Sequence, residues 1–102
     1  MELVLVITTE ANFANAELIA NKLLKEKLAA CISFKDIRSY YWWNNQIENS
    51  NEVQLVIKTN KDKLDQIVKS IKNLHSYKTP ELIFLYATSE TNYARWLQDV
   101  IQ

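Results

Sequence analysis

The sequence predicts an α+β domain built on one antiparallel sheet, and three observations carry that prediction. Segments with apolar residues at strand spacing and at helical spacing follow one another in the order strand, helix, strand, strand, helix, strand, helix. The 102 residues leave room for one core, so a single domain spans 1–102. A hydrophobic fraction of 48% beside 12 basic and 12 acidic residues belongs to a chain that folds rather than stays disordered.

Residues 2–8, ELVLVIT, are β-branched and apolar on both faces, as a strand covered on both sides must be. In residues 12–28, Phe13, Ala16, Ile19, Ala20, Leu23 and Leu24 form one helical stripe, with Asn12 placed to cap it and Lys25 and Lys27 at the end the dipole favours for cations. Residues 29–43 read as a long strand. Ile32 and Phe34 share one face and Ile37, Tyr41 and Trp43 the other, which predicts a bulge near Lys35–Asp36. Asn44–Asn45 is a two-residue hairpin signal. The return strand carries Val53, Leu55 and Ile57 on one face, with residues 49–51 expected to interrupt it. Leu64, Ile67, Val68, Ile71 and Leu74 mark the second helix, for which Asn60 is the expected cap. Pro80 precedes a fourth strand, 81–88, and a short closing helix should turn Tyr93, Trp96, Leu97 and Val100 inward.

This order is the split βαβ arrangement of ferredoxin-like folds (βαββαβ) with an added C-terminal helix. Both main helices then cover one face of the sheet, while the first and last strands stay apolar on the other. A further copy of the chain is the simplest cover, so the protein is expected to be an obligate oligomer.

Composition excludes several functions. With no glycine, the glycine-rich phosphate cradles are absent, and left-handed turns fall to asparagine. Zero net charge supplies no field to draw in nucleic acid or anionic lipid. Cys31 is the sole cysteine, which rules out an internal disulfide or a cysteine zinc cage and points to the cytoplasm. MELVLVITTE lacks a basic leader region and is too short to span a bilayer, so no membrane association is expected. One histidine and one cysteine, without a recognisable third partner, do not make a nucleophilic triad, and no enzyme is expected.

Four stretches together, EKLAACISF, RSYYWWNNQIE, EVQLVIKT and HSYKTPELIFL followed by YARWL, resemble the CutA family of divalent-cation tolerance proteins. The resemblance covers nearly the whole chain, with the motifs in family order. It implies a homotrimer of ferredoxin-like subunits, similar in assembly to the PII signalling proteins. It also implies a link to tolerance of copper and other divalent metals, and no established reaction. The alternative is a PII-like regulatory module that binds a small metabolite and signals to a protein partner, although PII proteins carry a long loop where this chain has only Asn44–Asn45.

His75 sits at a helix C-terminus before an extended segment enforced by Pro80, so it is first a cap and a hinge. With Tyr77 and Glu81 it would line a cleft completed by a neighbouring subunit, and there it is the candidate ligand for a divalent cation, copper first. The resemblance places Cys31, Glu48 and Lys58 at the same inter-subunit cleft. Tyr41, Trp42 and Trp43 crowd a hairpin tip, where they are expected to anchor a neighbouring subunit rather than stack on RNA. The chain departs from the family pattern where copper-binding members offer a cysteine and a second histidine: here those positions hold Thr8 and Leu74. Lys78 stands where a carboxylate is usual.

Overall fold

A computed structural model of the protein describes all residues, 1–102. The elements are β1 (Glu2–Glu10), α1 (Phe13–Lys25), β2 (Cys31–Trp43), β3 (Gln46–Thr59), a 3₁₀ turn (Lys61–Lys63), α2 (Leu64–Leu74), β4 (Ile83–Thr88) and α3 (Thr91–Ile101). The sheet has the order β2-β3-β1-β4 and every pairing is antiparallel. The ferredoxin-like arrangement expected from the element order is therefore the one observed.

Alternation along β1 divides the core. Val4 and Val6 point to the face covered by α1 and α2, where they pack with the fully buried Ile19, Leu23, Ile67 and Ile71. Leu3 and Leu5 point the other way, against Leu97 and Ile101 of α3. The closing helix thus crosses to the second face and covers part of it. The buried residues of α3 are Ala94, Leu97 and Ile101, with Val100 partly buried; Tyr93 and Trp96, expected inward, are exposed. The docked face is the one that brings the small Ala94 against the sheet and leaves the bulky rings outside. Ile83 and Leu85 of β4 remain 45% and 47% exposed on the uncovered part of that face.

Local signals at α1 behave as read. Asn12 Oδ1 accepts the Asn15 amide at 2.8 Å. The helix ends in a Schellman motif: Lys27 takes a left-handed conformation (φ 55°), its amide donates to Leu24 O, and the Leu28 amide donates to Leu23 O. Asn44 and Asn45 both adopt positive φ (51° and 62°), the signature of a type I′ turn. From that turn β2 and β3 pair without a break, from Trp43↔Gln46 to Cys31↔Lys58.

Three local expectations are corrected. No bulge interrupts the register at Lys35–Asp36; the apolar phase changes because the strand runs out from under α1 and α2 beyond Phe34. β3 is continuous through 49–51, where Arg38 donates to Asn49 Oδ1 and Tyr41 Oη lies 3.3 Å from Ser50 Oγ, side-chain bonds that override asparagine's weak strand preference. Asn60 does not cap α2: it precedes the 3₁₀ turn without a side-chain cap, and its amide group donates to Gln98 of α3 instead.

β1 pairs with β3 only over Val53–Thr59, so residues 46–52 are held by β2 alone. This two-stranded arm stretches the molecule to 45 Å in one direction against 23 and 21 Å in the others. It ends in exposed Tyr40, Tyr41, Trp42, Trp43 and Ile47. An isolated two-stranded ribbon is marginal in water, so the arm calls for a partner surface.

Candidate functional site

By the alternation of β1, Glu10 falls on the inward face after Val4, Val6 and Thr8, and its side chain is fully buried. A carboxylate there must be bonded. It accepts the Ala11 amide at 2.8 Å, the Ser76 amide at 3.0 Å and the Ser76 hydroxyl at 2.5 Å. Burial alone would raise its pKa. The Ser76 hydroxyl and the Ser76 and Ala11 amides, all donating to the carboxylate, outweigh that and hold it below the ordinary carboxylate value.

His75 is locked beside it, its side chain also without exposure. Nε2 lies 2.6 Å from Thr9 O, which can only accept, so Nε2 carries the proton. Nδ1 accepts the Tyr77 amide at 3.0 Å. Both ring nitrogens are thus occupied within the chain, and His75 does not open onto the hollow formed by its neighbours in sequence. The expectation of a histidine presented to a cleft as a metal ligand is not met by this geometry: its lone pair is committed to the backbone of the linker it pins. Thr8 Oγ1 is 3.5 Å from Nε2, whereas Leu74 is exposed.

The consequence of this latch lies on the other side of the linker. Tyr77 reaches across to β3, where its hydroxyl donates to Glu52 Oε2 at 2.7 Å. Burial raises the Tyr77 pKa first, and the accepting Glu52 carboxylate raises it further, so the phenol stays protonated well past its usual range. Tyr77, Pro80 and Glu81 form one wall of an open hollow of about 880 Å³, and the arm, through Tyr41, Trp43 and Glu48, forms the opposite wall. Of the residues expected at a cleft, Tyr77, Glu81 and Glu48 are therefore brought together, and so are two of the three expected interface aromatics.

Cys31 and Lys58 are not. They pair with each other across β2 and β3, with Lys58 Nζ 3.7 Å from Cys31 Sγ and 3.4 Å from Ser33 Oγ. Lys58 is ten residues along β3 from Glu48, roughly 33 Å at the rise of a strand. No three histidine, cysteine, aspartate or glutamate side chains of one chain stand close enough to share a metal ion. No helix is long and apolar enough to cross a membrane. Sequence reasoning missed Glu10, Thr9, Ser76 and the Tyr77–Glu52 bond. Strand alternation does signal Glu10, because it puts an acid in an inward position.

The profile of the CutA1 divalent ion tolerance protein family matches residues 4–100. The chain belongs to the CutA1 family. It is 34% identical over 96 residues to the divalent-cation tolerance protein CutA of Pyrococcus horikoshii, covering 93% of this chain and 94% of that one. It is 38% identical over 98 residues to CutA of Citrobacter koseri, covering 94% and 85%. Among solved structures, CutA of Archaeoglobus fulgidus, described as periplasmic, superposes with a TM-score of 0.96 at 29% identity over 98% of this chain and 99% of that one. CutA1 of Oryza sativa superposes with a TM-score of 0.95 at 31% identity over 100% and 95%. The family name associates this CutA1 chain with divalent-cation tolerance, and the long hairpin arm is part of the architecture it shares with those structures.

Proposed function

We propose that the protein is a non-catalytic homotrimer that serves divalent-cation tolerance by binding a metal ion, copper first, at a cleft between subunits. The observation that carries this reading is the division of the candidate residues within one chain. Glu48, Tyr77 and Glu81 meet at one hollow, while Cys31 and Lys58 lie at the far end of the same strand. A cleft that uses all five must be assembled from two subunits. The unpartnered arm supports the same reading: Tyr41, Trp42 and Trp43 are 41%, 72% and 59% exposed, and burying them against a neighbour would bring its sheet face to the hollow. In that cleft the Cys31 thiolate is the soft donor suited to copper, and Glu48 and Glu81 supply carboxylate oxygens. The single free cysteine favours a reducing cytoplasm over the periplasm of the Archaeoglobus relative.

Calorimetric titration of tag-free protein with copper and zinc ions, with the oligomer sized by light scattering in the same buffer, tests the reading. A trimer with saturable binding at a fixed ratio per trimer, lost in Cys31→Ser and weakened in Glu48→Gln, is expected. A monomer, or uptake that never saturates, would overturn it.

A further inference from the structure

The walls of the hollow carry chemistry beyond what the metal reading uses. Three aromatic residues turn their rings to it, Tyr41, Trp43 and Tyr77, while Tyr40 lines it from the strand and turns its ring to the other face of the arm, where the Arg38 guanidinium lies 5.9 Å from the ring centroid. Three more are the carboxylates Glu48, Glu52 and Glu81, and no lysine, arginine or histidine lines it. The chain as a whole is neutral, so this negative character is local. Of the three acids only Glu52 is engaged, and by a neutral phenol that leaves its charge in place. Glu48 and Glu81 make no ion pair, although Lys78 is near in sequence.

Transition metals want nitrogen or sulfur donors, and the hollow has none. Small hard cations want several oxygens within a few ångströms of one point, and no such cluster exists in the chain. Ring faces with separated carboxylates are instead the surroundings that favour a larger, weakly hydrated cation, held by the ring quadrupoles at one side and by diffuse negative charge at the other. We propose that the hollow is a binding site for an organic ammonium group. That group is the head of a free alkylamine. The proposal goes beyond the metal reading and does not need Cys31. In the trimer proposed above, a neighbour roofing the hollow would desolvate the rings and strengthen their hold on the cation.

The test uses n-butylammonium, which has the shape of a lysine side chain, against 1-butanol, which matches its size without the charge. Both are titrated into the full chain with a chelator present, and binding is followed on the ligand's own methyl proton signals by NMR, a readout that every variant keeps. Saturable binding of butylammonium, at least tenfold weaker binding of butanol, and a further loss of about five- to thirtyfold in Trp43→Ala that Trp43→Phe largely restores would establish a site for a free amine. No butylammonium binding, together with a smaller oligomer in the Glu48→Gln, Glu81→Gln double variant, would make the hollow a seat for a lysine of another copy and overturn the proposal. Both glutamates are exposed, so the variant should keep its fold, checked by its circular dichroism. Equal binding of butylammonium and butanol, or no binding with an unchanged oligomer, would overturn the proposal. Because the chelator removes metal, these outcomes are independent of the copper titration, and either reading can fail without the other.

Discussion

Glu10 is the residue on which the linker between α2 and β4 hangs, and replacing it by alanine should show how much. The substitution removes one buried carboxylate that accepts three hydrogen bonds, from the Ala11 amide, the Ser76 amide and the Ser76 hydroxyl. A hydrogen bond to a charged group contributes about 1.5–3 kcal/mol, so the gross loss is about 4–9 kcal/mol. Ala11 and Ser76 are themselves exposed, and their freed groups regain water, which offsets a good part of it. The net destabilisation expected is about 2–4 kcal/mol, with Glu10→Gln, which keeps one acceptor oxygen but no charge, losing roughly half as much. Denaturant unfolding at fixed protein concentration reads the difference, since the stability of the proposed trimer would move with concentration. Acid supplies a second arm. The native carboxylate holds its proton less tightly than it does in the unfolded chain. Its contribution is therefore full at neutral pH, starts to fall as pH drops past the ordinary value of 4.5, and is gone below the lowered native value. The gap between wild type and Glu10→Gln should close over that window. A Glu10→Ala protein within about 0.5 kcal/mol of wild type, with the same acid limb, would refute the role given to this network.

Two further predictions rest on backbone and phenol. Lys27 occupies a left-handed position where its Cβ costs more than an exposed cation gains from the helix dipole, so Lys27→Gly should stabilise the protein by about 0.5–1 kcal/mol, read as a raised denaturation midpoint with an unchanged slope. Tyr77 keeps its proton above the ordinary phenol value of 10.0, so its contribution to stability is full below that pH and is lost as pH rises towards the raised native value. Ultraviolet titration should show one late-ionising tyrosine in the wild type that is missing in Tyr77→Phe.

The parts of this fold that depend on neighbours in sequence were legible. Asn12, the apolar stripe of α1 and the Asn44–Asn45 turn all act within a few residues, and each was read from the chain. The errors arose where a distant partner decides. Residues 49–51 look like a strand breaker until Arg38 and Tyr41 are placed across from them, and which face of α3 docks depends on the sheet it meets, not on the rings it carries. Glu10 and His75 are separated by 65 positions, and only the topology makes them a pair.

The family resemblance supplied cleft residues as a set, and the single chain divides that set between the two ends of β3. The division and the exposed arm have one physical cause. An arm paired on one edge only, with five large apolar side chains in water, cannot be at its free-energy minimum alone. Any surface that covers Trp42 and Trp43 must also approach the hollow on whose wall Trp43 and Glu48 stand. What roofs the arm therefore sets the dielectric of the hollow, and with it the strength of every charge interaction inside. With the trimer and the cation site proposed above, assembly and ligand binding are coupled by construction: weakening the proposed anchor at Trp42, which does not line the hollow, should weaken cation binding as well, to the degree that it dissociates the trimer.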